Sequence, residues 1–158
     1  MLFKNRIEKS CSYCAFCTKL NEEQALCIKK GVVELLSSLK DNDYRIAIAS
    51  STRTAVVESQ LESAGLSHYF DVIIGGDMVE KSKPNPDIFL LASQKLGGTA
   101  NTTYVIEDSY NGIKAAHSAG MIPVMVPDMI EPNDEMRLKA KYIKADLLEV
   151  KKLIIPTI

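Results

Sequence analysis

Short apolar segments alternate with amphipathic helical segments along most of this 158-residue chain. The apolar segments are rich in Val and Ile and are bounded by polar turn residues, which predicts buried strands. The predicted strands cover residues 45–49, 72–74, 104–106 and 122–126. Predicted helices cover residues 29–40, a segment ending at Gly65, residues 86–96 and 111–119, and two tail segments near residues 135–141 and 147–153. Alternation at this spacing predicts βαβ units, and therefore a three-layer α/β fold with a parallel sheet between helices.

The composition is that of an ordinary globular domain. Hydrophobic residues make up 46% and charged residues 25% of the chain, and 158 residues suffice for one core. The net charge of −1 argues against a nucleic-acid partner, because such proteins usually carry a basic surplus. No apolar run is long enough to span a bilayer, and the start of the chain lacks the apolar stretch of a secretory signal. We therefore expect a cytoplasmic protein.

Polar residues follow three predicted strands at or near their carboxyl ends. Ser50 follows the first strand, Asp77 follows the second, and Glu107 and Asp108 follow the third. In open parallel sheets, ligands bind beyond the carboxyl ends of the strands. The topology alone therefore predicts that these side chains share one edge of the sheet.

The segment from Ser50 to Arg53 has the composition of an anion-binding turn. Ser50 and Ser51 offer hydroxyls and backbone N–H groups ahead of a helix, together with Thr52. Arg53 could bind a second phosphate, since its guanidinium makes multidentate contacts. The alternatives are a simple helix cap for the hydroxyl residues and an exposed surface position for the arginine.

Lys83 lies in a loop stiffened by Pro84 and Pro86, where a cation would be held in place. Asn85 is the predicted N-cap of the helix that follows.

The adjacent carboxylates of Glu107 and Asp108 would repel each other unless a cation or a donor neutralised them, and Mg²⁺ prefers such oxygen ligands. Alternatively, one carboxylate caps the next helix, or Ser109 does so and leaves both carboxylates available.

Three stretches together resemble the haloacid dehalogenase superfamily, in its β-phosphoglucomutase-like phosphatase branch. They are Ile46–Thr52, Lys81–Phe89 and Val105–Ile113, and the resemblance runs from about Gly31 to Pro132.

The resemblance implies a Rossmann-like core and a role for each matching residue. It makes Ser50 and Lys83 the candidate catalytic residues, both binding the substrate phosphate. Asp108 and Glu107 become the candidate Mg²⁺ ligands, and Thr52–Thr54 matches the place where members bind a second phosphate. The implied substrate is a small phosphorylated metabolite such as a sugar phosphate.

The chain departs from this family at its front. Members carry an Asp-x-Asp motif at the end of a central strand, whose first Asp attacks phosphorus. Here the only such motif, Asp41–Asn42–Asp43, precedes a strand and is predicted to be a turn. We therefore expect a truncated chain in which residues 1–28 are a remnant of a helical cap and linker and residues 29–158 form the core.

This departure predicts a sheet that lacks its central strand and an enzyme that is inactive as it stands. The gap could close by direct pairing of its neighbours, by the N-terminal segment folding in, or by a strand swapped within a homodimer. A non-catalytic remnant or interaction module is the alternative function.

The four cysteines suggest a third, more distant reading. Cys11, Cys14, Cys17 and Cys27 could bind a metal as thiolates. Their spacing matches no familiar zinc motif, and cysteines three residues apart share one face of a helix, so small buried residues are the favoured interpretation. His68 and His117 are predicted to be structural.

Overall fold

The computed structural model describes residues 2–3, 29–128 and 130–155. Within them, six parallel strands form one sheet in the order β3-β2-β1-β4-β5-β6. The strands are β1 Leu2–Phe3, β2 Ala47–Ala49, β3 Val72–Ile74, β4 Tyr104–Glu107, β5 Ile122–Met125 and β6 Tyr142–Ile143. The helices are α1 Val32–Asp41, α2 Thr54–Ser63, α3 Asp87–Leu96, α4 Tyr110–Ser118, α5 Asp134–Lys139 and α6 Leu147–Ile154. The predicted α/β architecture with a parallel sheet is confirmed.

Helices cover both faces of the sheet because successive strand residues point to opposite sides. In β2, Ile48 packs with α1, α2 and α6 on one face. Ala47 and Ala49 point to the other face, where they pack with α3 and α4. A smaller cluster joins α4 and α5 beside β5. These layers hold the strand ends rigidly, so side chains at the carboxyl edge have fixed positions.

The expected gap at the centre of the sheet is filled, and that prediction was wrong. The backbone of β1 pairs in parallel with both neighbours, with Leu2 opposite Ala47 on β2 and opposite Val105 on β4. A segment of two residues is enough to fill the gap, because β2 and β4 need only backbone hydrogen-bond partners there. Backbone donors and acceptors are costly to leave unpaired when they are buried. Of the three ways to close the sheet, folding in of the N-terminal segment is the one observed, so a swapped strand is not required.

Two local predictions also differ from the structure. The tail helix ends at Lys139 instead of running through Lys141, and the next residues form β6, which the sequence analysis did not predict. The N-cap of α3 is Pro86, one residue after the predicted Asn85, whose side-chain amide donates to the Ser82 carbonyl oxygen at 3.2 Å.

Residues 4–28 are not among those described, so the predicted cap remnant, the linker and the four cysteines remain predictions. Across the described part of the chain, no helix combines the length and apolar character that crossing a membrane would require.

Candidate active site

Lys83 lies at the carboxyl edge of the sheet, where it contacts the ends of β2 and β4. The Lys83 ammonium donates to Glu107 Oε1 at 2.7 Å and to the backbone carbonyl of Ala49, next to Ser50, at 3.2 Å. It also lies 4.4 Å from the centre of the Phe89 ring, within the range of a cation–π contact. The side chains of Lys83 and Glu107 are only 3% and 1% exposed. A buried charge pair of this kind joins the two strand ends.

Glu107 is held on its other oxygen by the start of α4. Its Oε2 accepts from the Ser109 hydroxyl at 2.9 Å and from the Ser109 N–H at 3.4 Å. Ser109 is also the N-cap of α4, where its Oγ accepts from the Gly112 N–H at 3.1 Å. A Cβ on Gly112 would lie 2.1 Å from Glu107 Cδ, so only glycine fits there. Ser109 is therefore the cap, but Glu107 is already paired.

Asp108 points away from this network. Its side chain is 11% exposed, and its Oδ2 lies 3.3 Å from the Lys29 ammonium. Within the described residues, its buried Oδ1 has no hydrogen-bond partner. A buried carboxylate oxygen without a donor is costly unless a cation or water occupies its lone pairs. This orphan acceptor distinguishes Asp108 from Glu107 and marks the side on which a cation would fit.

Ser50 is buried at the end of β2, and its backbone is fixed by a hydrogen bond from its N–H to the Ile74 carbonyl oxygen at 2.9 Å. Its Oγ accepts from the Thr52 N–H at 3.1 Å, which leaves the hydroxyl proton to be donated elsewhere. The alternative of a simple helix cap is not observed, because the N-cap residue of α2 is Arg53, and its side chain makes no cap hydrogen bond. Ser50 thus shapes the turn and has a donor available.

Asp77, which follows β3, ties this turn to the neighbouring strand. Its Oδ1 accepts from both the N–H and the hydroxyl of Thr54 at 2.8 Å. The backbone and hydroxyl hydrogen bonds from Thr54 hold the pKa of Asp77 below its ordinary value of 3.8, and the charge of Arg53 adds to that effect. A Cβ on Gly76 would lie 2.4 Å from the Ser51 carbonyl oxygen, so the two strand ends approach closely. The turn that exposes Ser51 and Arg53 is therefore pre-formed.

The predicted site residues are thus brought to one edge, but not all into contact. Lys83, Glu107 and the backbone next to Ser50 touch, whereas Ser51 and Arg53 are exposed on the adjoining turn. Sequence reasoning missed Lys29 and the hydrogen bonds that Asp77 accepts from Thr54. Neither has a local signal, because the Lys29–Asp108 contact spans 79 residues and the Asp77–Thr54 contact spans 23.

Comparisons with known proteins identify a family and several relatives. Residues 5–126 match the profile of a family described as haloacid dehalogenase-like hydrolase. The chain is 38% identical over 116 residues to "Probable phosphatase IndB" of Dickeya dadantii, covering 73% of this chain and 50% of that protein. It is 38% identical over 91 residues to "Phosphorylated carbohydrates phosphatase" of Thermotoga maritima, covering 58% of this chain and 42% of that protein.

Among solved structures, the β-phosphoglucomutase of Clostridium difficile superimposes with a TM-score of 0.71 at 30% identity, covering 85% of this chain and 57% of that one. The chain spans about half the length of the curated relatives it matches.

Proposed function

This chain belongs to the haloacid dehalogenase-like hydrolase family, and on that premise we propose that it is a phosphatase- or phosphomutase-type core that binds a small phosphorylated metabolite. The observation that carries the proposal is the buried Lys83 ammonium, which contacts the end of β2 beside Ser50 and the end of β4 at Glu107. A fixed cation that contacts the Glu107 carboxylate and the backbone beside the Ser50 hydroxyl, with Asp108 next in sequence, is an arrangement suited to a phosphoryl group and its metal ion.

In the proposed complex, the phosphoryl oxygens accept a hydrogen bond from the Ser50 hydroxyl and form an ion pair with the Lys83 ammonium. Ser51, Thr52 and Arg53 lie on the turn that Asp77 holds, and they bind further oxygens or a second phosphate. Support comes from the rigidity of this turn, because donors that are already in place need no reorganisation when the anion arrives. A sugar phosphate is the proposed substrate class, in line with the name of the Thermotoga maritima relative.

The residues at the end of β4 fit a Mg²⁺ ion. Asp108 would be a ligand through its orphan Oδ1. Glu107 could join it through a remaining lone-pair site, because a carboxylate has about four such sites and three accept from Lys83 and from the hydroxyl and N–H of Ser109. No cluster of three His, Cys, Asp or Glu side chains occurs in the ranges described. Mg²⁺ commonly binds through one or two carboxylates and keeps several waters, so two suffice. When bound, the ion would neutralise charge on the phosphoryl oxygens.

We further propose that the chain by itself binds phosphoesters without turning them over. The resemblance places an attacking Asp directly after the central strand, but the residues that follow β1 in sequence are Lys4, Asn5 and Arg6. Asp41 is the last residue of α1, and Asn42 and Asp43 follow it in a turn before β2, so this motif lies at the opposite edge of the sheet. We therefore expect no release of nitrophenol from an aryl phosphate with MgCl₂ above the buffer rate. Hydrolysis of the aryl phosphate by the wild type, lost when Lys83 is replaced, would contradict this part of the proposal.

Binding is tested with inorganic phosphate and a Ser50→Ala variant. We expect millimolar phosphate to raise the melting temperature of the wild type, and Ser50→Ala to weaken phosphate binding about tenfold through the lost hydroxyl donor. Ser118→Ala removes a hydroxyl at the exposed end of α4 and serves as the matched control. An equal phosphate response in all three proteins would show that the anion binds somewhere else.

A further inference from the structure

We infer that the Lys29 ammonium is a tethered counter-ion of Asp108 that competes with a divalent cation and lowers the affinity of this chain for Mg²⁺. The inference rests on the proposed Mg²⁺ site and adds to it a residue that sets how tightly the metal is held.

The Lys29 ammonium lies between two carboxylates that come from different strand ends. Its Nζ is 3.3 Å from Asp108 Oδ2 and 3.1 Å from Asp128 Oδ2. Asp108 follows β4, and Asp128 lies in the loop after β5, so the ammonium bridges two neighbouring strands. It therefore places a positive charge on Oδ2 of the same carboxylate whose Oδ1 would bind the proposed metal ion.

The approach of Lys29 to this edge is fixed by the start of α1. Gly31 has a left-handed backbone with φ +88°, and a Cβ there would lie 3.2 Å from side-chain atoms of both Leu147 and Leu148 on α6. The Val32 N–H donates to the Lys29 carbonyl oxygen at 3.2 Å, which closes the turn. Glycine at this position thus lets the backbone pass close to α6, in the turn that places Lys29 beside Asp108.

The exposure of the partners makes this contact reversible. The Lys29 side chain is 41% exposed, whereas that of Asp108 is 11% exposed. The ammonium can move into water at little cost, since exposed ion pairs contribute little to stability. The Asp108 carboxylate stays in place with its orphan Oδ1. A divalent ion at Oδ1 and an ammonium at Oδ2 would repel each other across one carboxylate, so binding of the metal favours release of the lysine.

The experiment measures the Mg²⁺ dissociation constant by titration calorimetry with MgCl₂ at constant ionic strength. We expect Lys29→Gln to bind Mg²⁺ about three- to tenfold more tightly than the wild type, because two ion pairs no longer have to be broken. Lys30→Gln is the matched control, since it removes the same charge from the adjacent exposed residue and should change the constant less than about twofold. Lys29→Arg keeps the charge and should remain close to the wild type.

The outcomes separate this inference from the function on which it rests. If Lys29→Gln binds Mg²⁺ with unchanged or lower affinity while the wild type binds it, Lys29 is no competitor and only the present inference fails. If Lys29→Gln and Lys30→Gln strengthen binding equally, the effect is one of net charge, which also overturns the inference. If neither the wild type nor Lys29→Gln binds Mg²⁺ at millimolar concentration, the proposed metal site fails as well. Binding by Lys29→Gln must disappear in the Lys29→Gln/Asp108→Asn double variant, because otherwise the ion sits elsewhere.

Discussion

Replacement of Lys83 by methionine should destabilise the fold by about 3–5 kcal/mol, because it leaves the Glu107 carboxylate buried without its cation. Methionine keeps much of the length of the side chain, so the loss measures charge more than volume. Urea unfolding followed by circular dichroism gives the free energy directly.

Burial is what sets this effect apart from that of an ordinary ion pair, and the chain offers a matched control. Lys40 and Asp71 are separated by 2.9 Å, close to the 2.7 Å of Lys83 and Glu107, but their side chains are 32% and 26% exposed. Lys40→Met should therefore cost less than about 1 kcal/mol. Adding Glu107→Gln to Lys83→Met removes the unpaired charge and should recover much of the loss. A Lys83→Met variant as stable as Lys40→Met would contradict the buried pair.

Gly112→Ala should also destabilise the protein, although alanine is normally the better residue in a helix. The added Cβ would lie 2.1 Å from Glu107 Cδ and 2.3 Å from its Oε2, so the carboxylate or the first turn of α4 has to move. We expect the free energy of unfolding to fall by about 1–3 kcal/mol, which is typical of an overpacked site. We also expect phosphate to raise the melting temperature of this variant less than that of the wild type. The measurement is again urea unfolding.

The neighbouring residue supplies the comparison for this second prediction. Asn111 lies in the same first turn of α4 but is exposed, so Asn111→Ala should change stability by less than about 0.5 kcal/mol. A Gly112→Ala protein that is as stable as Asn111→Ala would mean that the close approach of α4 to Glu107 does not exist.

The fold could be predicted to the extent that its elements have a periodic signal. Four strands and most helices are long enough to show apolar segments or stripes, and their alternation fixes a parallel sheet. The two strands that were not predicted, β1 and β6, have only two residues each. No hydrophobic pattern can identify a segment of that length, and only the neighbouring strands make Leu2–Phe3 a strand at all.

The site could be predicted as a location but not as a set of contacts. The rule that parallel strands present their carboxyl ends together was enough to place Ser50, Glu107 and Asp108 at one edge, whereas the family resemblance was needed to add Lys83. The rule could not predict which partners Glu107 and Asp108 contact, because consecutive residues at a strand end point to different sides. Glu107 turns inward to Lys83 and Ser109, whereas Asp108 turns toward Lys29. These partners are distant in sequence or depend on how α4 packs, so only the folded chain assigns them.

The most direct test of the central claim, that one edge of the sheet binds a phosphoryl group and a metal ion together, is calorimetric titration of inorganic phosphate into the chain with and without MgCl₂. We expect a dissociation constant of about millimolar order that is several-fold tighter with Mg²⁺, because the bound metal ion would neutralise charge on the phosphate and coupling between two bound ions is reciprocal. Phosphate binding that is absent at millimolar concentration, or that is indifferent to Mg²⁺, would contradict the account.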